Sequence, residues 1–127
     1  MITNPGYEDV EMPVDNQPLF DYASLEEDLD AECAAELAKS FLEDATQVVE
    51  RLAQAVSSKD KEAVRANAHK LRGACRSINA LPVERESSAL EDAAVSGDWT
   101  RIESCFSSVR PLYETLVKEI QNYLNKG

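Results

Sequence analysis

Leu37, Phe41, Ala45, Val48, Leu52 and Ala55 recur at steps of three and four residues, and this spacing constrains the fold more than any other feature of the chain. A helix turns about 100° per residue, so residues so spaced form one stripe along its side, whereas a strand would send them to both faces. The same spacing returns in Val64, Ala68, Leu71, Cys75 and Ile78. It returns again in Trp99, Ile102, Phe106, Val109, Tyr113, Leu116, Ile120 and Tyr123, with Val83, Leu90 and Ala94 as a shorter stripe between the two. Four glycines and five prolines in 127 residues leave little material for the many tight turns of a β fold. Helix formers (Ala, Glu, Leu, Lys) dominate instead. The expected fold is all-α: an antiparallel four-helix bundle with short connections and a short additional N-terminal helix.

Residues 1–17 carry Pro5, Gly6, Pro13 and several acids without periodicity, so a flexible acidic tail is expected there and the bundle over 18–127. In "PLFDYASLEEDL", Ser24 and Glu27 have capping-box spacing, and Leu19, Phe20, Leu25 and Leu29 supply an apolar face to the short helix. A helix over about 30–57, capped by Asp30, stops at "SSKD". Asp60 or Ser58 caps the next, over about 60–79. Pro82 suits a first helical turn, and Gly97 supplies a helix stop. Asp98 caps the last helix, where Pro111 predicts a kink or a break.

The charge excludes several functions. With 24 acidic and 13 basic residues the net charge is −11, opposite to what a phosphate backbone or an anionic membrane attracts. No apolar run approaches the ~18 residues of a membrane span. "MITNPGYEDVEMPVD" lacks the basic and apolar regions of a secretory signal. Cys33, Cys75 and Cys105 are odd in number, widely spaced and form no CxxC pair. They read as reduced, mostly buried thiols of a cytoplasmic protein. Their spacing fits no zinc pattern, so no metal site is expected. There is no GxSxG and no phosphate-binding glycine loop.

"AHKLRGACRSINA", residues 68–80, holds the only histidine. With His69 set at zero on a helical wheel, the apolar stripe of its helix falls about 100–180° away. The imidazole therefore faces solvent. Arg65, Arg72, Gly73 and Arg76 lie within about 60° of it. No partner carboxylate or thiol is evident on that face. Between Lys59 and Arg76 there are six basic and two acidic residues, a local excess that repels a cation and suits an anion. Imidazole is a competent nucleophile near neutral pH. A phosphoryl group on it would receive charge-assisted hydrogen bonds from Arg72, one turn on. Gly73, at i+4, removes the side chain that would crowd the ring.

"AHKLRG" resembles the His-x-Leu-Lys/Arg-Gly signature of the histidine phosphotransfer (HPt) family. "ELAKSFLEDATQVVERLAQAV" is similar to the helix preceding it in that family, and "SALEDAAVSGDWTRI" to the helix–turn–helix that follows. The resemblance spans about residues 19–125. It implies a phosphocarrier without independent catalytic activity, which relays a phosphoryl group through His69 between aspartates of response-regulator receiver domains, with a hybrid sensor kinase upstream. It further implies that Arg72, at a position usually lysine, stabilises the phosphoryl group and that Gly73 leaves room for the partner. Mg²⁺ is expected in the receiver and no cofactor in this chain.

Arg65, Lys70 and Arg76 are expected to dock an acidic receiver surface. Leu19, Phe20, Tyr22 and Leu25, where exposed, would add apolar docking contacts. Ala74, Cys75 and Asn79 depart from the family pattern, although asparagine tolerates the left-handed backbone of a helix end. A monomer is expected, and the initial methionine and acidic tail favour a free-standing protein. The alternative function is a helical binding module that uses the arginine-rich face of residues 65–76, with His69 incidental.

Overall fold

The computed structural model describes residues 19–126; the acidic tail expected over 1–17 lies outside the described residues. Five helices follow one another: α1 (Tyr22–Asp28), α2 (Ala31–Ser57), α3 (Lys61–Ser77), α4 (Leu81–Ser96) and α5 (Trp99–Lys126). Each of the last four packs on the next, and α5 returns to α2, which closes a four-helix bundle. The α3–α4 contact is the most extensive. No described helix is long and apolar enough to cross a membrane.

Side-chain caps fix most of the starts. Asp30 accepts from the Cys33 N–H at 2.7 Å, Asp60 from Ala63 at 3.1 Å and Asp98 from Thr100 at 3.0 Å. Each satisfies one of the amides a helix leaves unpaired at its first turn. The capping box expected at Ser24 is not formed. Asp21 caps α1 by accepting from the Ser24 N–H at 3.0 Å, so Ser24 lies inside the first turn.

Two of the connections are the same turn. Asp60 N–H donates to Ala55 O at 2.9 Å and Lys59 N–H to Val56 O at 3.3 Å; Ala80 N–H donates to Cys75 O at 2.8 Å and Asn79 N–H to Arg76 O at 3.2 Å. These are paired Schellman bonds, which need a left-handed residue after the helix. Lys59 (φ 60) and Asn79 (φ 61) supply it in place of glycine. Lys59 is held there by Glu103 at 2.9 Å and by the face of Trp99 at 5.0 Å. At the third connection Gly97 has φ 78, the left-handed helix stop expected of it.

The stripes point inward as their spacing requires. Val64, Ala68, Leu71, Cys75 and Ile78 of the α3 segment are fully buried, as are Val83, Leu90, Ile102, Val109, Leu116 and Ile120 across α4 and α5. Pro111 does not break α5, which runs on through it to Lys126.

Candidate functional site

The inward stripe of α3 fixes the rotation of that helix. Turning it by even one residue, about 100°, would withdraw four fully buried side chains from the core. With the stripe so placed, the His69 side chain is 58% exposed. Antiparallel packing then brings α4 alongside in a defined register. Arg76 Nε donates to Glu84 Oε2 at 2.9 Å, and two turns back along α3, His69 Nδ1 lies 3.1 Å from Glu91 Oε2.

Arg72 completes the cluster. Its Nη2 is 3.0 Å from the same Nδ1. Its Nε lies 3.1 Å from Glu91 Oε1, an ion-pair contact in which the N–H is not aimed at the oxygen; Nε is shielded from solvent and has no hydrogen-bond acceptor among the described residues. Both protein contacts of the ring therefore fall on Nδ1, and Nε2 makes no hydrogen bond among the described residues. A ring held by one nitrogen and open at the other can present that second nitrogen to an incoming group.

Gly73 lies one turn beyond His69. A Cβ placed there would meet nothing within 4 Å. The fold therefore has no steric need for glycine at this position, although glycine costs a helix interior about 1 kcal/mol relative to alanine. Its effect is outward: it leaves the surface beside the imidazole bare.

Glu91 was not legible from the helical wheel, which places only residues of the histidine's own helix. The residue stands 22 positions away and reaches the ring only because α4 folds back along α3. Its i, i+7 spacing from Glu84 on one edge of α4 was a trace of it: those two acids answer Arg72 and Arg76 in register.

The local charge is also revised. The excess of cations over residues 59–76 is met by acids: Arg65 pairs with Glu62, Arg72 with Glu91 and Arg76 with Glu84. Glu62 is held below the usual carboxylate range by its hydrogen bond to Arg65, and Arg65 is pushed up by the same bond. Lys70, exposed on the same helix, has no acidic partner among the described residues. The arginines expected to dock a receiver are thus largely neutralised before any partner arrives.

Burial withdraws three of the four apolar side chains of the α1 segment that were expected to dock a receiver where exposed. Leu19, Phe20 and Leu25 are buried, and only Tyr22, 41% exposed, remains at the surface. Phe20, Tyr22 and Tyr123 form a cluster with ring centroids 5.1 to 6.0 Å apart. Tyr123 donates to Glu26 at 2.6 Å, and the Leu19 N–H donates to Glu119 at 3.0 Å. The Asp21 N–H donates to Asn79 O, which places the start of α1 at the far end of α3, ten residues and about 15 Å from His69 along the helix. α1 caps the bundle's end, and those apolar groups serve the core.

Of the thiols, only Cys75 is fully buried; Cys33 is exposed and Cys105 half-buried, so the expectation of mostly buried cysteines holds for one of the three. Burial pushes the Cys75 thiol up to about 12. It is packing material beneath the site, not a second nucleophile.

The crystal structure of histidine-containing phosphotransfer protein B (HptB) from Pseudomonas aeruginosa PAO1 has the same fold. The two superpose with a TM-score of 0.79 at 21% sequence identity, over 88% of this chain and 99% of that one. Comparison with curated protein sequences gave no significant match. The family model described as the Hpt domain matches residues 36–125, a span that runs from early α2 to the end of α5 and holds His69, Arg72, Gly73 and Glu91. With well over half of its length matched, the chain belongs to the Hpt domain family.

Proposed function

We propose that Nε2 of His69 takes a phosphoryl group from the aspartyl phosphate of one receiver domain and gives it to the aspartate of another. The observation that carries this reading is the one-sided engagement of the ring, with Nδ1 held by Glu91 and Arg72 and Nε2 left open. In the forward step the Nε2 lone pair forms the P–N bond as the P–O bond to the aspartate breaks, and that electron pair leaves on the carboxylate. The ring's proton stays on Nδ1, where Glu91 accepts it. In the reverse sense the P–N pair returns to Nε2, and the imidazole leaves neutral because Nδ1 still carries its proton. No further proton transfer is needed in either direction.

Arg72 is close enough to pair with the phosphoryl oxygens as a charge-assisted donor. Gly73 gives the receiver's active site room to approach. The chain acts as a phosphocarrier without independent catalytic activity, and the receiver brings the acidic pocket and Mg²⁺. A hybrid sensor kinase upstream, a monomeric state and a cytoplasmic location go with the same reading.

The test is to mix the protein with a phosphorylated receiver and Mg²⁺. Acid-labile, base-stable label is expected on the wild type and none on His69→Gln, whose fold is retained because the ring is exposed. Equal labelling of the two would end the assignment.

A further inference from the structure

Nδ1 of His69 has two neighbours that require opposite things of it. Glu91 Oε2, at 3.1 Å, can only accept a hydrogen bond, so it needs a proton on Nδ1. Arg72 Nη2, at 3.0 Å, can only donate, so it needs a bare Nδ1. A neutral imidazole carries one proton on one of its two nitrogens. The two contacts therefore exclude each other as hydrogen bonds, and each selects a different tautomer. With Arg72 donating, the proton sits on Nε2 and that nitrogen has no lone pair to attack with. With Glu91 accepting, the proton sits on Nδ1 and Nε2 is a nucleophile.

We infer that Arg72 is a positioning residue that gates the imidazole: in the free protein it holds His69 in the unreactive tautomer, and an incoming phosphoryl group draws it away and hands Nδ1 to Glu91. This rests on the phosphotransfer reading of the site. Two features of Arg72 carry the inference. Its Nε is shielded from solvent and makes no hydrogen bond even though Glu91 Oε1 lies 3.1 Å away, so the resting position leaves a donor unused that a phosphoryl oxygen can satisfy. Its side chain is also 29% exposed, so the guanidinium can leave without opening the core. A phosphoryl group presents several anionic oxygens to a planar fork that pairs with them bidentately. Once the guanidinium moves, Nδ1 takes a proton from water and Nε2 releases one to water, which an exposed ring permits. The proton count is unchanged, and the lone pair now lies on Nε2. The nucleophile is thereby readied by the arrival of its own substrate.

The single histidine makes the test direct, because ¹⁵N-histidine labelling gives one imidazole. The ¹⁵N shifts of its two nitrogens report where the proton resides. They are read in the full chain at about two pH units above the ordinary imidazole value of ~6.5. The free wild type is expected to be mainly the Nε2–H tautomer. Arg72→Ala is expected to move the ratio toward Nδ1–H by about tenfold, with the circular dichroism unchanged. Arg72→Lys, which keeps a donor, is expected to return part of the shift, and adding Glu91→Ala to Arg72→Ala to abolish it. A tautomer ratio in Arg72→Ala equal to the wild type's, or a free wild type already in the Nδ1–H form, overturns the gate. Neither result touches the labelling of His69 by a phosphorylated receiver, so failure of the gate and failure of the relay are separate. Loss of that labelling with the tautomer shift intact would overturn the relay, and the phosphoryl trigger with it, and leave only the control of the tautomer by Arg72.

Discussion

Glu91 Oε2 stands 3.1 Å from Nδ1 of His69, on a different helix and 22 residues further along the chain. A carboxylate at this distance can accept the Nδ1 proton once Arg72 has turned to the phosphoryl group, which leaves the lone pair on Nε2. Glu91→Ala is therefore expected to slow phosphorylation of His69 by on the order of 10- to 100-fold, equivalent to roughly 1.4–2.8 kcal/mol of barrier. Glu91→Gln, whose amide oxygen can still accept, should lose less. Stopped-flow transfer from a phosphorylated receiver measures both, and equal rates in wild type and Glu91→Ala would remove Glu91 from the mechanism.

Gly73 separates stability from access. Since a Cβ there meets nothing within 4 Å, Gly73→Gln should stabilise the fold by up to about 1 kcal/mol. It should still slow transfer from a receiver at least tenfold, on the order of 1.4 kcal/mol. Thermal melts and transfer kinetics on one sample decide it. A more stable protein with undiminished transfer would show that the bare surface is not there for the partner.

The pairing of the arginines sets a ranking among the three docking cations. Arg65 and Arg76 are held by Glu62 and Glu84, whereas Lys70 has no acidic partner among the described residues. Lys70→Glu should lower the association rate with an acidic receiver several-fold at low salt, and the loss should fade as salt is raised. Arg65→Ala and Arg76→Ala should each change it less. Surface plasmon resonance at two ionic strengths distinguishes this from equal effects at all three.

α1 should prove structural. Phe20→Ala removes a buried ring from the end of the core and is expected to cost about 3–5 kcal/mol. Tyr22→Ser, at a half-exposed ring, should cost less than about 1.5 kcal/mol. Neither should alter receiver affinity per folded molecule. Chemical denaturation gives the first pair of numbers, and titration of the folded fraction the last.

Cys75 makes the fold sensitive to alkali. Its thiol is pushed up to about 12 by burial, from an ordinary thiol value of 9.0. An unfolded chain therefore releases this proton at lower pH than the folded one. The unfolded state binds fewer protons above that point, so stability falls as pH rises from about 9 toward 12. Burial also raises Tyr113 in the same direction. Denaturation midpoints should decline over this range, with a smaller decline in Cys75→Ala. Iodoacetamide should modify Cys33 in the folded protein and reach Cys75 only on unfolding.

Asn79 shows how far local rules reach. A left-handed residue after a helix is a local requirement, and asparagine is among the few residues that meet it, so the turn was readable from the segment itself. Ser24 shows where competition between local signals is lost: both Asp21 and Ser24 can cap, and the better placed carboxylate took the Ser24 amide. At Pro111, of the kink or break expected, the break does not occur. A proline removes one hydrogen bond, and the buried Val109, Tyr113 and Leu116 around it hold α5 as one helix.

The sequence by itself determined the helices, their inward faces and the exposure of His69, because a 3.6-residue period is a property of the chain that needs no partner. It also determined that Gly73 and Arg72 share a face with the imidazole, since both lie within one turn. Only the tertiary structure decided what that face is electrically and which group holds the ring. Glu84 and Glu91 come to α3 through the register of two antiparallel helices, and α1 spends its apolar residues at the bundle's end. Those outcomes depend on contacts between residues far apart in the chain, and the helical period does not encode which distant side chain an exposed residue will meet.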